Sequence, residues 1–120
     1  MSKDEWKKKI VSACKQAGTY RKFFDSAIDT LAGIMARRDE TEEVYRKSGS
    51  KVVVLHTTKT GEKNVVQNPM LKMINDLNRD ALAYWRDLGL TPNGYKKLNA
   101  DVVQEKNEGS FEKLLSELNL

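Results

Sequence analysis

Chemistry in a chain of 120 residues has to be sought first in its nucleophiles, imidazoles and carboxylates, and here they are few. There is one cysteine, Cys14, and one histidine, His56. A single thiol excludes an intrachain disulfide and a multi-cysteine zinc site, and a single imidazole leaves no partner for a His-based metal centre or proton relay. Cys14 falls on an apolar stripe, where a small buried hydrophobe is the expected role. His56 falls in a strand pattern beside threonines, where hydrogen bonding or exposure is expected. A Cys14–His56 pair is left open by the sequence. The carboxylates Asp39, Glu40, Glu42 and Glu43 sit close together, but near-consecutive helical positions fan around the axis and do not converge on a metal as a two-metal nuclease requires. They read as a solvated charge run. A phosphate-cradling loop needs Gly-x4-Gly-Lys-Ser/Thr; Gly49-Ser50-Lys51 is the nearest fragment and is too short. The dinucleotide fingerprint is absent as well. The reading is a protein without enzymatic activity, with no cofactor and no metal.

What remains is positive charge. The net charge is +4 and the pI about 9.2, but the distribution matters more than the total. Lys3 to Lys22 holds 7 basic and 2 acidic residues, whereas Asp101 to Leu120 holds 2 basic and 5 acidic. A basic head and an acidic tail around a nearly neutral body are expected of interaction ends. Lys7, Lys8, Lys9, Lys15, Arg21 and Lys22 cluster around one helix and the turn after it, where they can neutralise phosphates and release counterions; keeping a helix soluble is the plain alternative. Lys96 and Lys97 follow a second signal: a helix through Trp85, a glycine turn, and a further helix with Asn93 and Tyr95, compatible with a helix-turn-helix corner.

These groups must be held by helices. Charged residues are 32% of the chain, with only 2 prolines and 7 glycines, a composition suited to surface-rich helices in one domain. Ser2 with Glu5 fits a capping box. Trp6, Ile10, Cys14 and Ala17 then recur at helical spacing, with Gly18 as the stop and Thr19 as a cap for the next element. A second helix is predicted from Tyr20 to Lys47, about 40 Å long at 1.5 Å per residue. Its stripe of Phe24, Ile28, Leu31 and Met35 fades into Arg37 to Glu43, where Glu42–Arg46 and Glu43–Lys47 form favourable i,i+4 pairs. Val44 and Tyr45 beyond that stretch suggest that the far end meets another chain. Lys51 to Thr58, a turn at Lys59-Thr60-Gly61, and Glu62 to Gln67 read as a β-hairpin. An isolated hairpin is marginal in water, so it must pack on the helices or be completed by a neighbouring subunit.

Asn68-Pro69 opens the clearest helix, with asparagine as cap and proline in the first turn. Met70, Ile74, Leu77, Ala81, Tyr84 or Trp85, and Leu88 keep the spacing. Gly89, Thr91 and Pro92 stop it and start another. Ser110 begins a last short amphipathic stretch with Phe111, Leu114, Leu115 and Leu118. The expected fold is mainly α: two long helices, a small β-hairpin between them at about 51–67, and a short C-terminal helix. It divides into a basic N-terminal helix (1–18), a helical core (19–98) and an acidic tail (99–120). Self-association is expected through the long helix and the Met70 to Leu88 helix, with Val44, Tyr45, Tyr84 and Trp85 as contacts. Phe111, Leu114, Leu115 and Leu118 are candidate anchors for a partner's groove. No apolar run approaches the ~18 residues of a bilayer span, and the first residues lack a signal-peptide pattern. A cytoplasmic location without membrane association is therefore expected.

Asn68-Pro69-Met70, then Asp76-Leu77-Asn78, then Tyr84 through Pro92, resembles the small subunit of tailed-phage terminases. The order upstream is similar to one branch of it, and the match covers roughly Tyr20 to Leu98. The resemblance implies a non-enzymatic subunit that assembles as a ring, binds double-stranded viral DNA for genome packaging and delivers it to the terminase large subunit, which carries the ATPase and nuclease. It carries over no DNA-contact positions, so the lysines and arginine above rest on charge and placement. A helix-turn-helix transcription regulator, normally a dimer on a two-fold site, is the alternative.

Overall fold

The structure is a computed structural model that describes residues 1–99. In chain order it comprises α1 (Lys3–Ala17), a 3-10 turn (Lys22–Phe24), α2 (Asp25–Lys47), β1 (Val53–Thr57), β2 (Lys63–Gln67) and α3 (Pro69–Asp87), and residues 92–99 form a further helix, α4. The mainly helical fold with a hairpin between two long helices is as the sequence predicts. The acidic tail beyond residue 99, including Phe111, Leu114, Leu115 and Leu118, lies outside the described residues.

Local chemistry accounts for the ends of the elements. The Ser2 hydroxyl accepts the Glu5 amide at 3.2 Å, and Gly18 closes α1 in the left-handed conformation (φ 72°), which glycine adopts without steric cost. Asn68 caps α3 through its Oδ1, which accepts the Met70 amide at 3.1 Å, and Pro69 fills the first turn. The same asparagine reaches the hairpin. Its backbone N–H donates to the Val52 carbonyl at 2.8 Å and its side-chain amide to the Lys51 carbonyl at 2.9 Å. A buried residue with both ends of its amide paired fixes the strands to the start of α3.

Three expectations are corrected. The long helix begins at Asp25, not Tyr20: residues 22–24 take a tighter 3-10 turn. Thr19 does not cap it; its hydroxyl donates back to the Cys14 carbonyl at 3.5 Å in a buried position. Arg46 pairs with Glu43 at 2.7 Å and not with Glu42, and Lys47 reaches the same carboxylate at 3.5 Å, so one glutamate gathers both cations.

The core is the three-helix contact. Trp6, Ile10 and Cys14 of α1 meet Ile28, Leu31, Ala32 and Met35 of α2, and Ala81 with Leu88 close the cluster. Ile10, Ile28, Leu31 and Leu88 are fully buried, each worth about 1.5–3 kcal/mol of transfer free energy. Helix α2 is the centre, packed by α1 on one side and α3 on the other. The indole N–H of Trp6 donates to Asp39 at 2.7 Å. Arg38, next along α2, pairs with Asp39 at 3.1 Å, reaches Asn78 of α3 at 3.5 Å and stands over the Trp6 ring at 5.8 Å.

The strands run antiparallel, with Leu55 opposite Val65 and His56 opposite Asn64. The hairpin packs broadly on none of the described helices. Of the two options the sequence left, packing on the helices is not the one realised among the described residues.

Candidate nucleic-acid interface

Helix geometry sorts the predicted basic residues. Lys7 falls on the side of α1 that faces α2, and its ammonium lies 3.6 Å from Asp29, which also holds Lys3 at 3.1 Å. The Lys3 hydrogen bond and the two positive charges hold the Asp29 carboxyl below its usual range. Lys7 is thus largely engaged by its own fold. Lys9 points to the other flank, 4.9 Å over the Trp6 ring, where cation and ring quadrupole attract.

Lys8 and Lys15, two turns apart, face outward and are exposed. Together with Lys7, Val11, Ser12 and Gln16 they line a shallow surface groove. Lys15 also stands 5.3 Å over the Tyr20 ring, while the Arg21 guanidinium donates to the Tyr20 carbonyl at 2.8 Å. Lys15 and Arg21 are therefore gathered at the corner after α1, with exposed Lys22 next to them on the 3-10 turn.

That corner lies beside the second one. Leu88 is buried and Gly89 has φ 73°. A Cβ at Gly89 would come within 3.0 Å of the Thr19 methyl and 2.5 Å of Leu98 Cδ1. The absence of a side chain lets the turn after α3 close onto the turn after α1. Thr91 then caps α4, its hydroxyl accepting the Gly94 amide at 3.1 Å. Gly94 sits against the Arg86 carbonyl so closely that any Cβ would collide with it. Lys96 and Lys97 are exposed on α4, and Lys97 shares a cleft with Arg86, Asp87 and Asn93. The turn that follows α1, with Lys15, Arg21 and Lys22 around it, therefore touches the turn that leads into α4 and its Lys96 and Lys97. The Thr19–Gly89 contact that joins them left no pattern in the sequence beyond a glycine.

The other predicted contacts fall elsewhere. Val44, at the opposite end of α2, is 56% exposed, but Tyr45 is partly used by its own chain, donating its hydroxyl to the Ser50 carbonyl at 3.0 Å. Tyr84 and Trp85 are half-buried against the core.

The candidate reactive groups are placed apart. Cys14 is fully buried, and burial pushes its thiol up from the ordinary value despite the Thr19 hydrogen bond. His56 is exposed on β1 opposite Asn64. Among the described residues no group of His, Cys, Asp and Glu side chains converges as metal ligands would, and no helix is long and apolar enough to cross a membrane.

Comparison with the curated proteins and with the solved structures finds no match in either. Comparison with protein families matches residues 2–105 to the phage terminase small subunit. That span includes all the elements described above, from α1 through the hairpin to α4. With the match covering most of its length, the chain belongs to the phage terminase small subunit family.

Proposed function

We propose that this protein is the DNA-recognition subunit of a viral genome-packaging machine: a non-enzymatic ring of identical copies that holds double-stranded DNA and hands it to the terminase large subunit in the host cytoplasm. The observation that supports the reading, beyond the family, is the contact of the turn beside Lys15, Arg21 and Lys22 with the turn that leads into α4, which carries Lys96 and Lys97. Each copy offers a small cationic surface. A circle of copies repeats it, so many weak phosphate contacts add without a high charge on any one chain. The chain's work is positioning, and bond cleavage falls to the partner that carries the ATPase and nuclease.

Measuring native mass together with duplex DNA titration at two salt concentrations tests this reading. A ring whose affinity falls steeply as salt rises supports it. A dimer binding a two-fold site would favour the transcription regulator, and a lone protomer indifferent to DNA would remove both.

A further inference from the structure

The hairpin leaves an apolar face open. Its register puts Val53, Leu55 and Thr57 on the same face as their partners Gln67, Val65 and Lys63. Leu55 and Val65, directly opposite each other, are each 67% exposed and Val53 is 52% exposed. Asn68 fixes the base of the hairpin, but none of the described helices packs broadly over this face. Two strands alone are marginal in water, and an apolar ribbon rimmed by polar residues marks an interaction surface.

Charge says what covers it. Residues 51–67 carry Lys51, Lys59 and Lys63 against Glu62 alone. The far end of α2, residues 39–47, carries Asp39, Glu40, Glu42 and Glu43 against Arg46 and Lys47. There Glu40 and exposed Val44, one turn apart, line an open concavity of about 790 Å³ with Met1, Asp39, Glu42, Glu43 and Arg46, so that four carboxylates face one guanidinium. A ribbon of exposed apolar residues fringed by lysines and an exposed valine set among carboxylates, of which Glu40 and Glu42 are in no ion pair among the described residues, are complementary, and both belong to every copy. Such complementarity steers encounter and fixes register. The size of the exposed Leu55–Val65 pair favours a protein occupant over DNA, whose backbone offers charge and little apolar surface.

We propose that the hairpin of one copy seats on the far end of α2 in the next copy, with Leu55 and Val65 against Val44 and Lys63 beside Glu40. The contact joins two different patches, so it is heterologous, and repetition by a fixed rotation closes a ring. This rests on the homo-oligomer proposed above and names the surfaces that build it.

The test uses the full chain, with mass by sedimentation equilibrium and folding by circular dichroism. Leu55→Glu raises the concentration for half-assembly by at least about tenfold while the circular dichroism spectrum stays that of the folded helical chain, because no described helix covers that face within its own fold. Lys63→Glu and Glu40→Lys each weaken assembly. The two changes in one chain restore it, since every interface then pairs opposite charges. Wild-type rings undiminished by Leu55→Glu would overturn this interface and leave the proposed function standing. A wild-type chain that stays a single protomer would overturn both. Intact assembly with lost DNA affinity in Leu55→Glu would overturn it in favour of a DNA-binding arm. Two weakened single variants with no restoration would overturn the Lys63–Glu40 pairing.

Discussion

The indole N–H of Trp6 and the carboxylate of Asp39 meet at 2.7 Å across 33 residues of sequence, pinning the start of α1 to the middle of α2. Burial by itself would raise the Asp39 pKa, but the hydrogen bonds from Trp6, the N-terminal amine and Arg38 outweigh it and hold the carboxyl below its usual range. A depressed folded-state pKa contributes stability that is complete above the unfolded value and lost as pH falls through the folded one.

Trp6→Phe keeps most of the buried ring and removes the hydrogen bond to a charged group, at a cost of about 1.5–3 kcal/mol. Urea unfolding at neutral pH reads this as a lower midpoint. The gap from wild type narrows as pH falls below the unfolded aspartate value of about 4 and through the lower folded one. The protonating carboxylate then loses in the wild type a bond the variant already lacks.

Gly89→Ala and Gly94→Ala differ in mechanism. At Gly89 the positive φ and the approach of Thr19 and Leu98 both oppose a methyl group, costing about 1–3 kcal/mol. At Gly94 the obstacle is the Arg86 backbone carbonyl, which cannot rotate away, so α4 must shift off α3. Both variants lower the thermal midpoint. Gly94→Ala also speeds proteolysis around residues 88–98, which limited digestion would detect.

The buried Cys14 thiol, its pKa raised by desolvation, reacts slowly with a disulfide reagent in the folded protein and at the rate of a free thiol in denaturant. Cys14→Ser puts a hydroxyl in the apolar cluster and destabilises by about 1–3 kcal/mol. Fast native labelling would mean that α1 opens readily from α2.

For DNA, replacing both Lys8 and Lys15 with alanine flattens the log–log salt slope by about 0.9 for every phosphate that is no longer neutralised. Folding stability stays within about 0.5 kcal/mol, as for other exposed surface changes. Lys7→Ala changes DNA affinity less, because Lys7 already faces Asp29. An affinity drop confined to Lys96→Ala with Lys97→Ala would shift the interface to α4.

The local part of this protein was written in its sequence. Hydrophobic spacing marked α1, α2 and α3, Ser2 and Asn68-Pro69 marked two helix starts, and Gly18 and Gly89 marked two stops, because a cap or a stripe depends only on neighbours within a turn or two. The hairpin was visible for the same reason. Errors came where local rules compete: Glu43 took the arginine that spacing also offered to Glu42, and Thr19 turned inward to Cys14 where capping was open to it. Only the tertiary structure decided which lysines Asp29 engages and which face solvent, that the turns after α1 and α3 touch through Gly89, and that the apolar face of the hairpin is left uncovered by the described helices. Those outcomes depend on contacts between residues far apart in the chain, and no periodicity encodes where two helices pack once their stripes have formed.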